Sequence, residues 1–176
     1  MKRLLYFALI LLLVCSTSLL AAVQADQQQY PSCSYCGMDR VKFGQSRMLI
    51  EYADGNSVAT CSLHCAALEL ALSIDKIPRR ILVADFHSKQ LIDVETAVWV
   101  IGGDQGGVMS SRGKWAFAER PGAEEFVANH GGEIADFEQV MEAVYADMYR
   151  DTLRIRKMRQ MKMKEMSQAH SHAGHQ

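Results

Sequence analysis

The chain is poor in the features that announce most biochemical activities. It carries almost no net charge: 19 Lys and Arg stand against 20 Asp and Glu over 176 residues. That balance argues against wholesale nucleic-acid binding. No Ser/His/Asp order or paired-carboxylate signature is visible, so nothing local points to hydrolytic chemistry. The glycine run Gly102-Gly103-Asp104-Gln105-Gly106-Gly107 lacks the strand–turn–helix setting of a dinucleotide loop, because no apolar-periodic helix follows it. A long apolar run occurs at one place, the start.

That start determines the compartment. Lys2 and Arg3 precede an unbroken apolar and aromatic stretch, Leu4 to Val14, and Val23-Gln24-Ala25 offers a cleavage site before Asp26. Residues 1–25 read as a secretory signal peptide. Retention as an N-terminal anchor, and lipidation at Cys15, are the alternatives; Val14 departs from the small residue that usually precedes a lipidated cysteine. Each reading puts the folded part outside the cytoplasm, in the periplasm, with membrane association if the segment is kept. Removal of the leader leaves 151 residues with a net charge of −3 and four cysteines. That is enough chain for a real core without disulfide staples.

An α+β fold is expected. Arg47–Ala53 and Ser57–Cys61 read as strands around the turn Asp54-Gly55-Asn56. Ser62 is placed to cap a helix carrying Leu63, Ala66, Ala67, Leu70, Ala71 and Ile74. Strands follow at Ile81–Phe86, Ala97–Ile101 and Trp115–Ala118. Pro121-Gly122 opens a second helix that ends near His130-Gly131-Gly132, and Asp136 caps a last one with Met141 and Met148 on its apolar face. From Arg150 the composition turns basic and methionine-rich, which predicts a mobile tail over 150–176 after a domain spanning 26–149.

The thiols form two pairs, Cys33-Ser-Tyr-Cys36 and Cys61-Ser-Leu-His64-Cys65. In an oxidising compartment they are either two bridges, a redox pair plus structural thiols, or a soft-metal site. The C-x2-C…C-x3-C spacing lies close to structural zinc patterns. Cys65 falls in the first turn of a helix, where the helix dipole favours a thiolate. Methionine shifts the balance toward Cu(I), which accepts thiolate, thioether and imidazole ligands in low coordination number. Met38 follows Cys36 by two residues, and Met109 sits beside the glycine-rich loop. The tail adds Met161, Met163, Met166, His170, His172 and His175. His64 is a further candidate ligand, against the plainer expectation that it faces water.

Cys33–Met38 with its following hairpin, Cys61–Cys65, the loop Gly106-Gly107-Val108-Met109 ahead of Trp115-Ala116-Phe117, Ala123–Phe126 and Gly131-Gly132 together resemble the NosL family over roughly residues 31–148. The first half also resembles metal-binding fingers of the TRASH type. The NosL resemblance implies an exported Cu(I)-binding accessory protein rather than an enzyme. It implies a fold of two small ββαβ units, and copper delivery to nitrous-oxide reductase or a similar exported cuproenzyme. Cys33, Cys36, Met38 and Met109 match the family pattern, with Met109 the stronger of the two methionines. General periplasmic copper carriage or buffering is the alternative role.

Overall fold

The computed structural model describes residues 24–173, with side chains as far as Gln168. Residues 1–23 of the expected leader, Cys15 among them, and His175 lie outside the described residues, as do the side chains of His170 and His172. The elements in chain order are α1 (Ala25–Gln29), β1 (Met48–Tyr52), β2 (Ser57–Thr60), α2 (Leu63–Leu72), β3 (Pro78–Ala84) and β4 (Leu91–Asp93). They continue with β5 (Val98–Ile101), β6 (Lys114–Phe117), α3 (Arg120–His130), β7 (Glu133–Ala135) and α4 (Phe137–Ala173).

The chain builds the same motif twice: a hairpin, a helix, and a strand that returns antiparallel beside the first. The first sheet has the order β2-β1-β3-β4 and the second β6-β5-β7. Register in the first runs Met48↔Thr60 and Ile50↔Val58 on one side, and Met48↔Val83 and Ile50↔Ile81 on the other. The hairpin turn is set locally. Asp54 Oδ1 accepts the Asn56 amide at 2.9 Å, and Gly55 takes φ +88°, a conformation open to glycine at little cost.

Alternation on β5 divides the interior. Trp99 points into a core with Met48, Ile50, Tyr52, Leu63, Ala66 and Ala67, closed from the far side by Val140 and Val144 of α4. Val100, on the opposite face, joins Trp115, Phe117, Ala123 and Phe126. The strand is therefore a shared wall between two cores. Met48 is fully buried, and Met141 and Met148 pack against the first core as their helical spacing predicts.

Two expectations need correction. The stretch expected as a tail is helical: α4 runs without a break from Phe137 to Ala173. The physical reason is composition: Lys, Arg, Met, Glu and Gln are strong helix formers, and no Pro or Gly interrupts them before Gly174. Ile74 lies beyond the end of α2 and is exposed rather than on its apolar face. The three-residue strands β4 and β7 and the short α1 have no periodicity long enough to be read from sequence. Among the described residues no helix is long and apolar enough to cross a membrane.

Candidate metal centre

Four free cysteines converge where the first motif turns from hairpin to helix. Cys33 and Cys36 lie in a tight turn, in which the Gly37 amide donates to the Cys33 carbonyl at 3.0 Å and the Cys33 amide to Met38 at 2.9 Å. Gly37 supplies φ +73° at this turn, a conformation open to glycine. Ser34 fastens the turn to β2, its amide and hydroxyl both donating to the Ala59 carbonyl at 2.9 and 3.0 Å. Cys61 follows β2 directly, and Cys65 is the third residue of α2. All four sulfurs lie within 4.8 Å of one another. Cys36 Sγ approaches Cys61 Sγ to 3.4 Å, and Cys61 Sγ lies 4.0 Å from Cys65 Sγ. Three are buried; Cys36 forms the accessible edge.

A buried ion triad holds this arrangement. Arg40 and Arg47 have no exposed side-chain surface, and both meet Asp26. Arg47 donates to both Asp26 carboxylate oxygens at 2.9 Å, a bidentate fork, and also to the Gly44 and Lys89 carbonyls. Arg40 donates to Asp26, to the Tyr30 and Met48 carbonyls, and through Nε to Thr60, the residue before Cys61. One guanidinium thus ties the first cysteine turn to the strand end carrying the third thiol. Burial by itself raises the Asp26 pKa, but Arg47 and Arg40 outweigh it and hold the carboxyl below its ordinary value.

The sulfurs share protons unequally. Cys33 is shifted well down because the Cys36, Cys61 and Cys65 thiols donate to it. At Cys36 the bond with Cys33 opposes ionisation, while Cys61 and Cys65 favour it, and the pKa falls to about 7. Cys61 and Cys65 are pushed up, first by Cys33 and then by Cys36. Ionisation therefore starts in the first pair, whose negative charge retains the protons of the second. A soft cation that takes up the inner sulfurs displaces their protons.

Met38 and Met109 both pack against the thiols. They come from different halves of the molecule. Met109 arrives on the Gly102–Gly113 loop between β5 and β6 with φ +59°, a left-handed conformation that a side chain adopts only under constraint. The constraint is a latch on α4. The Ser110 hydroxyl donates to Asp151 Oδ2 at 2.5 Å, and the Ser111 amide and hydroxyl both donate to Oδ1 at 2.9 Å. Arg112 and Lys114 hold Asp147 at 2.9 and 2.8 Å. Gly107 is needed for the tight path, since a Cβ there would lie 2.9 Å from the Ser110 and Arg112 carbonyl oxygens.

His64 does not face water. It is buried, its Nδ1 has no hydrogen-bond partner among the described residues, and it lines a cavity of about 180 Å³ with Cys36, Cys65 and Met109. Burial lowers its pKa, Asp151 opposes this, and Lys114 and Arg154 reinforce it. The downward shift favours the neutral ring. Met161, Met163 and Met166 remain exposed along α4, apart from the residues packed on the thiols. Sequence reasoning missed the Asp26–Arg40–Arg47 triad and the Asp147/Asp151 latch. Their partners are 14 to 41 residues apart, and no local signal links them.

The family model named NosL matches residues 23–145. Among solved structures, the copper chaperone NosL from Shewanella denitrificans aligns with a TM-score of 0.51 at 20% identity, over 66% of this chain and 92% of that one. At that identity the likeness is one of fold, and it agrees with the doubled β-hairpin–helix–strand architecture. No curated protein matches the chain.

Proposed function

Since the chain belongs to the NosL family of copper-binding accessory proteins, we propose that it carries Cu(I) on the four-cysteine cluster and hands it to nitrous-oxide reductase or a similar exported cuproenzyme. It is a carrier and not an enzyme. The observation that supports this reading best is the convergence of four free sulfurs within 4.8 Å with two methionines packed on them. Thiolate and thioether donors select soft, monovalent copper, and the half-exposed Cys36 offers the edge at which an acceptor's ligand attacks. Transfer is ligand exchange: an incoming sulfur bonds before the last outgoing one leaves, and copper stays Cu(I) throughout. Met38, Met109 and His64 stand beside the thiols as auxiliary ligands. Met161, Met163, Met166, His170, His172 and His175 belong to a capture segment on residues 150–176. A periplasmic setting follows from the export signal read in residues 1–25, with the folded domain starting at Asp26; a retained or lipidated leader would add a membrane anchor.

Zinc is the second reading, because the sulfur spacing favours it. A tetrahedral Zn–S site with bonds of about 2.3 Å has sulfurs about 3.8 Å apart, close to the 3.4 and 4.0 Å found here. One experiment separates the two. The reduced chain, prepared anaerobically and loaded with zinc, is titrated with Cu(I) against a chromogenic Cu(I) chelator and followed by X-ray absorption at both metal edges. Displacement of zinc with a sulfur-dominated copper shell is expected. Retention of zinc with no copper uptake would end the copper reading.

A further inference from the structure

A second group of sulfurs lies next to the thiol cluster. A groove of about 420 Å³ is lined by Met38, Met109 and Met158, with Gly106, Gly107 and Val108 forming its floor on the loop side. Met158 belongs to α4, beyond the stretch that the family model matches. Its helix face is set by spacing: Ile155, Met158, Arg159 and Lys162 line the groove at i, i+3, i+4 and i+7. Met109 lines both this groove and the smaller cavity that reaches Cys36, Cys65 and His64. Its left-handed backbone and the Asp151 latch on the adjoining serines hold it at that junction.

We propose that Met38, Met109 and Met158 form an outer thioether site for a soft monovalent cation, which passes through Met109 to the thiols. The proposal rests on the reading of the cysteine cluster as the Cu(I) site. The groove's donor chemistry is selective. Its lining holds three thioethers and neither a carboxylate nor an imidazole, so hard and borderline divalent cations find no suitable ligand there. Arg154, Arg159 and Lys162 line the same groove and repel a divalent ion more strongly than a monovalent one. Thioether donors carry no proton, so capture does not depend on thiol ionisation. In the transfer step a thiolate–copper bond forms at the cluster while the Met158 and Met38 bonds break. Met109 stays bound until the second thiolate arrives. Copper remains Cu(I), and the displaced thiol protons go to solvent.

The test uses the reduced full chain labelled with ¹³C at the methionine methyl groups and Ag(I) as a redox-inert probe. The first equivalent is expected to produce thiolate–silver absorption, and the second to shift the Met38, Met109 and Met158 methyl signals together. Met158→Leu, which keeps an apolar side chain of similar size, should leave the first equivalent unchanged and weaken the second at least tenfold. The triple variant M161L/M163L/M166L should retain the second site. An unmoved Met158 methyl overturns the proposal, as does a Met158 shift seen only when Met161, Met163 and Met166 are intact. Wild-type binding of the second equivalent by Met158→Leu also overturns it. Concerted methyl shifts without any thiolate absorption would uphold the outer site and instead sink the cysteine reading, so the two failures are distinguishable.

Discussion

The two halves of the molecule share one topology and differ where it matters for metal. In each, a hairpin feeds a helix after two residues, and a third strand returns beside the first. Cys61 follows β2 and Cys65 is the third residue of α2; the equivalent places after β6 and in α3 hold Ala118 and Gly122. The second half fills its core with Trp115, Phe117 and Phe126, ringed by Phe86. Its hairpin connection, Gly102–Gly113, is three times as long as Ala53–Asn56 in the first. The longer loop is what lets the second half contribute. One half supplies thiols at a strand-to-helix turn, and the other reaches over with a thioether.

The sharpest break of this comparison is to make the first half resemble the second at its cysteine positions. The double change Cys61→Ser with Cys65→Ser is expected to lower Cu(I) affinity about 10⁴-fold, or about 5.5 kcal/mol. Chelator competition checks this, and retained tight binding would show that the first cysteine pair suffices.

A pair of stability variants separates the halves next. Asp26→Ala leaves two buried guanidinium groups without their carboxylate and is expected to cost about 3–5 kcal/mol. Phe126→Ala removes an aromatic ring from the second core at a similar cost, about 3–5 kcal/mol. Chemical denaturation measures both. In the fraction that stays folded, the Asp26 variant should also lose copper affinity, because Arg40 links the Cys33 turn to Thr60, whereas the Phe126 variant should not.

Met109→Leu keeps the loop's bulk and removes its sulfur. About a tenfold loss of Cu(I) affinity is expected, about 1.4 kcal/mol, and the copper–sulfur coordination number should fall in X-ray absorption. An unchanged spectrum would make Met109 a packing residue.

The smallest effect is a pH response of the loop latch. For both Asp147 and Asp151 burial raises the pKa. Salt bridges from Lys114 and Arg112 to Asp147, and hydrogen bonds from Ser110 and Ser111 to Asp151, outweigh it and hold both pKa values below the ordinary one. Depressed carboxyls stabilise the fold fully above the unfolded pKa of about 3.9, and the contribution is lost as pH falls through the lower folded values. The Ser111 amide, which donates to Asp151, should therefore titrate by NMR with a midpoint below 3.9. A midpoint above that would contradict the latch.

Much of the first half was legible because its signals are local. Asp54-Gly55-Asn56 marks the hairpin, Ser62 the start of α2, and C-x-x-C-G the turn that Gly37 completes. The second half was harder to read. β7 has three residues, too few for alternation, and the Met109 loop has no regular pattern. His64 illustrates the limit within one helix: its place in the first turn of α2 was evident, yet burial came from packing against residues of the other half and of α4. The basic run after Arg150 was read from charge as a tail, although the same residues are good helix formers and prolong α4.

What the sequence by itself determined is the donor chemistry and the two turns that present it, because thiol spacing, glycine conformations and strand-to-helix transitions act over a few residues. The tertiary structure alone decided that the two cysteine pairs meet, that Met109 from the other half joins them, and that α4 both latches its loop and brings Met158 alongside. Those contacts depend on a buried ion pair, Arg40 with Asp26, and on a buried hydrogen bond, Ser110 to Asp151. Their partners are far apart in the chain and become neighbours only when the two cores close on their shared strand.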